Sequence, residues 1–364
     1  MKKILILGAG NAQIDAIEYC KSKGYKVYGC SYTNTDKGIP YLDEFEQINI
    51  TDVDAVANYA RVNQIDLIYS VGSDLAMPTV AKASELLNLP HFVSYDTALT
   101  CNMKNKMRVL LGTNFKGNVP FKVIESLEEA SNFNYYPAIM KPVDSQGQRG
   151  VHKVTCFEDI KENFEKSIVY SKTKKIIIEK YLDGQEISVN TYIKNGKLIF
   201  SLVSDRISFQ EYPGGIIKEH LLPTRFSGQV IQKIEDLVVR VLQKLQINNG
   251  PAYFQIKIVN EEPYIIEVTP RLDGCHMWKL INIYTDVNLL EMSFEHLLGN
   301  EIKCDPHLKN GKYKLKFMCQ PPKTKVVNHT VEPGIYTRWY YDIGDEVKEL
   351  NGYMEKCGYN ILKE

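Results

Sequence analysis

The sequence predicts a mixed α/β and α+β fold, in which an open parallel α/β unit leads into a β-rich body. Three observations predict it. Residues 1–95 alternate short apolar strands with amphipathic helices, the punctuation of βαβ units. From residue 136 the texture changes to hairpin-like runs: YYPAIMKPV, KVTCF, KKIIIEKYL, EISVNTYI and KLIFSLVS. A long amphipathic helix over 227–246 then separates these runs from two further strands. At 364 residues the chain has room for two or three domains.

The elements follow in order. A strand at 3–7 leads to a helix over 11–22, whose Ile14, Ile17 and Cys20 form an apolar stripe. Next come a strand at 26–30, a helix at 53–62, the apolar DLIYSVG at 66–72, a helix at 76–88 and a short strand at 91–93. Residues 96–135 read as helix then loop around NMKNKMRVLL. In the helix at 227–246, Val230, Ile234, Leu237, Val238, Val241 and Leu245 share one face. Strands at 252–259 and 263–269 and a helical stretch at 286–298 follow. Residues 311–364, with PPK, EPGIY and IGDEV as turn markers, read as a small β-rich C-terminal cap. The expected divisions are 1–95, 96–300 with a lid over 112–185, and 301–364.

Bulk chemistry excludes several classes of function. Lys+Arg and Asp+Glu both number 44, which argues against bulk attraction to nucleic acid or a membrane surface. No apolar run approaches the ~20 residues that span a bilayer. Lys2 and Lys3 before ILIL imitate a signal peptide, but the apolar stretch stops at Gly8. The eight cysteines are scattered without a CxxC pair, and Cys275-His276 is the sole adjacent pair of soft ligands. Reducing cytoplasm is the expected setting.

The first turn, Gly8-Ala9-Gly10-Asn11-Ala12-Gln13, is a Rossmann-like strand–helix turn. A dinucleotide site needs a third small residue and an acid about 20 residues on. Gln13 breaks the first requirement, and the acid-free tip Val27-Tyr28-Gly29-Cys30-Ser31 breaks the second. The free N–H groups after Gly10 still suit an anion, such as a second substrate across a cleft.

Three other pieces carry chemistry, and none of them has Walker A spacing. In PAIMKPVDSQGQRGV a strand ends at Lys141-Pro142, and a loop bearing Gly147 and Gly150 follows. A strand-tip Lys beside a flexible loop suits a polyphosphate, whose oxygens the loop N–H groups can cover. In KKIIIEKYLDGQEIS the buried Ile176–Ile178 strand gives way to Glu179-Lys180-Tyr181-Leu182. Backbone groups at Lys180 to Leu182 are thereby exposed to read an adenine edge, and Glu186 follows at ribose reach. In GPAYFQIKIVNEEPYIIEVTPRLDG, Gln255 and Lys257 share one strand face; on the next strand Glu267, Thr269 and Arg271 share a face while Ile266 and Val268 turn to the core. A turn on Asn260-Glu261-Glu262 sets Gln255 opposite Glu267, with Cβ atoms about 4.5–5.5 Å apart, close enough to share one Mg²⁺.

Together these pieces resemble the ATP-grasp superfamily, and within it the carbamoyl-phosphate synthase-like and biotin carboxylase-like branch. The resemblance covers residues 1–300: a pre-ATP-grasp domain, then the ATP-grasp fold. It implies phosphate contacts from a basic residue in a D-K or D-R helix, here Lys106 with Asn105 in place of the acid. Lys141 and the loop with Gly147 and Gly150 match its phosphate elements. Glu179, Lys180 and Leu182 match its hinge, and Glu186 its ribose contact. The branch places Gln in GxxNxQ, as Gln255 stands in GPAYFQ. The E-x-N-P-R motif reads Glu267-Val268-Thr269-Pro270-Arg271, so the implied metal ligands are Gln255, Glu267 and Thr269.

The resemblance implies ATP and Mg²⁺ (or Mn²⁺) as cofactors, small carboxylate and amine substrates, and a homodimer. The implied reaction is ligation through an acyl phosphate, with Arg271 stabilising its oxygens and the Gly214-Gly215 loop and His220 lining the acceptor side. Cys275 stands where biotin carboxylases carry a Glu, which speaks against bicarbonate activation by that route. Two other readings stay open: a biotin-independent carboxylase or phosphotransferase using the same ATP site, and a nucleotide-binding subunit of a larger synthase.

Overall fold

The computed structural model describes residues 1–145, 149–212, 215–350 and 352–364, arranged around three sheets. The first is parallel, in the order β3-β2-β1-β4: β1 (Lys3–Leu7), β2 (Lys26–Ser31), β3 (Glu44–Gln47) and β4 (Leu67–Tyr69). Helices α1 (Asn11–Ser22), α2 (Val53–Val62) and α3 (Met77–Leu87) cover it, and α4 (Tyr95–Asn102) and α5 (Lys104–Leu111) lead away. Ile4 to Leu7 are fully buried, as expected of a strand covered on both faces. The strand expected at 91–93 is not formed. Phe92 instead inserts edge-on between Tyr69 and Tyr192, with ring centroids 6.0 and 6.4 Å away, joining this unit to the rest.

The second sheet is antiparallel, in the order β5-β8-β6-β7: β5 (Phe121–Ile124), β6 (Ala138–Pro142), β7 (His152–Val154) and β8 (Ile176–Lys180). Helix α6 (Phe157–Ile168) lays Ile160 and Phe164 on its inner face against Met140, Ile176 and Ile178.

The third sheet has eight strands: β9 (Gln185–Lys194), β10 (Lys197–Ser208), β11 (Ile217–Leu222), β12 (Gly250–Val259), β13 (Glu262–Thr269), β14 (Tyr313–Gln320), β15 (Tyr336–Trp339) and β16 (Glu355–Lys363). Their order is β13-β12-β9-β10-β11-β14-β16-β15. Helix α7 (Gln229–Lys244) seals one face of it through Ile234, Leu237, Val238 and Val241, all fully buried; each is worth roughly 1.5–3 kcal/mol. The helical stretch expected at 286–298 forms as α9 (Leu289–Leu297); a further, unexpected helix, α8 (Met277–Thr285), precedes it, with Asp286 in a left-handed conformation between the two.

Residues 301–364, expected as a small cap, do not make a sheet of their own. β14 pairs with β11, so the three late strands extend the large sheet.

Candidate active site

A cavity of about 1170 Å³ opens where the three sheets meet. Its walls carry Asp74 from the first unit, Lys141 and Glu179 from the second, and Glu186, Gln255 and Glu267 from the third.

One wall is a closed ion cluster. Lys141 at the tip of β6 and Glu179 on the paired strand β8 form an ion pair, and Arg108 of α5 donates Nε–H to the other Glu179 oxygen at 2.6 Å. Arg108, 1% exposed, also donates to Asn118 Oδ1 (2.9 Å) and to the Ile265 carbonyl (2.7 Å), tying the small sheet to β13. Burial alone would raise the Glu179 carboxyl; Lys141 and Arg108 outweigh it and hold it at about 2.

The facing wall is the β12–β13 hairpin. Gln255 lies directly opposite Glu267, as expected, but by another route. The turn uses only Asn260 and Glu261, both with positive φ, and a bulge after Gln255 restores the register. That bulge also corrects the expected alternation, since Ile266 lines the cavity beside Glu267 instead of facing the core. Gln255 Nε2 donates to Glu186 Oε1 at 3.1 Å, which turns its amide oxygen the other way. Glu186 is held further by an ion pair to Arg206.

Among the described residues Glu267 has no ion-pair partner. Burial and repulsion from Asp74 push its carboxyl above the usual range, and Lys104, Arg271 and Lys141 only partly offset them. A half-buried carboxylate without a protein cation, beside a free amide oxygen, fits a hard divalent ion. Thr269 does not join this pair: it is 2% exposed, lies outside the cavity lining, and its hydroxyl has no partner among the described residues.

Other expected residues fall as follows. Lys106 is exposed and outside the lining, while Lys104 faces the cavity. On a helix, positions two apart point to nearly opposite sides, whereas 104 and 108 share a face. Lys180 and Leu182 line the cavity with Tyr181, whose ring carries Lys153 Nζ at 4.1 Å and Lys257 Nζ at 5.3 Å. Lys257 also donates to the Leu182 carbonyl at 3.1 Å. Gly147 and Gly214 lie outside the described residues. Gly150 is not in the lining; its φ is +71° and a Cβ there would meet Pro142 and Tyr170 at 3.0 Å, which gives it a packing role. His220 is fully buried and does not line the cavity.

Arg271 is not free to meet a ligand. It is 6% exposed and clamps Asp74 through both carboxylate oxygens, at 2.8 and 2.5 Å. Gly72, with φ +69°, permits this approach, because a Cβ there would stand 3.0 Å from Gly274 Cα. Asp74, which the sequence reading missed, sits just past the C-terminal end of β4, where ligands gather on open parallel sheets. In the first turn the Gln13 side chain lies over Gly8 and donates to the Val71 carbonyl at 2.5 Å, occupying the space a dinucleotide would need.

Residues 134–278 match the family described as the ATP-grasp domain. The chain carries an ATP-grasp domain. It is 27% identical over 198 residues to a D-alanine–D-alanine ligase of Flavobacterium johnsoniae, covering 50% of this chain and 59% of that one. It is 25% identical over 317 residues to a formate-dependent phosphoribosylglycinamide formyltransferase of Prochlorococcus marinus, covering 82% and 77%. The chain spans just over half, 55% and 59%, of two of the relatives it matches. An L-amino acid ligase from Bacillus licheniformis superposes with a TM-score of 0.83 at 19% identity, over 100% of this chain and 94% of that one. That likeness shows a shared fold over the whole chain, the first unit and the late strands included. Among the described residues no helix is long and apolar enough to cross a membrane.

Proposed function

We propose that this chain is an ATP-dependent carboxylate–amine ligase. The observation that carries the reading is the Gln255–Glu267 pair, whose acid has no cation at ion-pair distance among the described residues, in a cavity that Lys104 and Lys141 also line. Lys180, Tyr181 and Leu182 take the adenine side, and Glu186, anchored by Arg206 and Gln255, takes the ribose. Lys104 and Lys141 meet the phosphates, with Lys141 fixed in place by Glu179. A Mg²⁺ ion held by Gln255 and Glu267 would neutralise phosphate charge.

In this scheme a substrate carboxylate oxygen attacks the γ-phosphorus and the bond to ADP breaks. The amine nitrogen then attacks the acyl carbon, inorganic phosphate leaves, and the amine loses a proton. Two anions must meet in the first step, so Lys104 and Lys141 act by offsetting repulsion and fixing alignment. Arg271 acts through Asp74, holding the loop of the first unit against the ATP-grasp domain where the second substrate enters.

The test is an ADP-release screen over carboxylic acids paired with amino acids or amino sugars. ADP formation that needs both partners supports the reading. Bicarbonate-dependent release without an amine moves it to a carboxylase, and nucleotide binding with no turnover in any pool overturns it in favour of a regulatory subunit.

A further inference from the structure

Behind the cleft, His220 of β11 and Asp273 and Cys275 of the loop before α8 converge in a buried cluster. Their ligand atoms all lie within 4.8 Å of one another. His220 is fully buried, and among the described residues neither ring nitrogen has a hydrogen-bond partner. Asp273 is 2% exposed; its Oδ1 accepts from the backbone N–H groups of Cys275 and Met277, both at 3.1 Å, and its Oδ2 has no partner among the described residues. Buried polar atoms are nearly always paired, so Asp273 Oδ2 and a His220 ring nitrogen, two unpaired atoms that converge with Cys275 Sγ, point to a missing partner.

We propose that His220, Asp273 and Cys275 bind a transition-metal dication of the Zn²⁺, Co²⁺ or Fe²⁺ class, separate from the Gln255–Glu267 pair. Imidazole, thiolate and carboxylate together select a borderline ion over Mg²⁺. A tetrahedral shell with bonds of about 2.0–2.3 Å sets ligand atoms roughly 3.3–3.8 Å apart, a small contraction from the observed cluster. Thiolate and carboxylate balance the charge of a dication. Lys356 Nζ lies 3.5 Å from Cys275 Sγ, placed to donate to the metal-bound thiolate from outside the shell. Arg206 and Arg271, which also border the cluster, are already paired with Glu186 and Asp74. Three protein ligands leave the fourth position to water or a substrate atom, the pattern of reactive zinc sites.

The neighbouring His276 is not part of this site. Its Nδ1 meets Asp15 Oδ2 at 3.1 Å and its ring stacks on Tyr359 at 4.5 Å.

The experiment is cobalt titration of the full, chelator-stripped chain without nucleotide or Mg²⁺. One equivalent should bind with a thiolate-to-cobalt charge-transfer band in the near ultraviolet and the strong visible bands of a tetrahedral site; Zn²⁺ should abolish both. Cys275→Ser should lose the charge-transfer band, His220→Gln should weaken cobalt binding by about tenfold or more, and Glu267→Gln should leave both signals unchanged. A wild-type chain showing no charge-transfer band overturns the proposal, as does a band that survives in Cys275→Ser. This readout is independent of ATP turnover, so it stands or falls apart from the ligase reading.

Discussion

Glu179 and Glu267 line the same cavity, and their surroundings drive them in opposite directions. Glu179 faces two cations of its own chain, and its carboxyl is held at about 2. Burial pushes the Glu267 carboxyl up and repulsion from Asp74 adds to it, with no cation at ion-pair distance among the described residues. The first is fully paired within the protein and serves to hold Lys141 and Arg108 in place. The second carries a charge that the protein leaves for something else to neutralise. The difference separates framework from chemistry within one pocket.

The sharpest way to break this contrast is Glu179→Gln, which strands Lys141 and Arg108 as buried charges. It should cost about 3–5 kcal/mol, read as a drop in the denaturant midpoint. A loss below about 1 kcal/mol would show that the cluster is solvated and the contrast mistaken.

Acid titration is the next most demanding test. A carboxyl depressed from 4.5 to about 2 contributes stability that is fully present above pH 4.5 and lost as pH falls toward 2. That swing is worth about 3 kcal/mol, and Glu179→Gln should remove it. Glu267 has the opposite sign: its contribution is present below pH 4.5 and is lost as pH rises through its elevated folded value, where cation affinity should climb instead.

Glu267→Ala should cut ATP turnover by about a hundredfold or more while the fold survives, checked by circular dichroism. Near-wild-type activity in that variant would remove the metal assignment.

Arg271→Ala should lower kcat by about tenfold or more with little change in nucleotide binding, since its partner is Asp74 and the loop, not the nucleotide wall. Equal losses in both would mean that it serves the nucleotide after all.

The smallest effect discriminates two lysines on one helix. Lys104→Ala should raise the KM for ATP by about tenfold, whereas Lys106→Ala, on the outer face, should change nothing measurable. A larger loss at Lys106 would reverse the placement.

Much of this was legible in the residues. Periodicity placed α1, α2 and the two strands of the metal hairpin, because apolar alternation in a covered sheet leaves little choice of register. The Gln255–Glu267 pairing was also readable, although the three-residue turn expected is really a two-residue turn plus a bulge; both add the same single-residue offset. Lys104 was missed because Asn105-Lys106 imitates an acid–base motif. The buried stripe of Met107, Arg108 and Leu111 carried the correct signal. Asp74 and the His220–Asp273–Cys275 cluster were out of reach. Their partners come from distant parts of the chain, and local spacing holds no record of a contact made by tertiary packing.

The position of β16 bears on how the chain is made. Strand Glu355–Lys363 lies between β14 and β15, bonded on both sides, and β14 in turn pairs with the β11 that holds His220. During synthesis the first parallel unit can close early, from neighbouring βαβ segments. The far side of the large sheet must wait until residues near 360 have left the ribosome, and β14 until then presents an open edge. Such late, non-local pairing folds slowly and leaves a transient edge open to aggregation. Deleting β16 should therefore yield insoluble protein, not a trimmed but active enzyme.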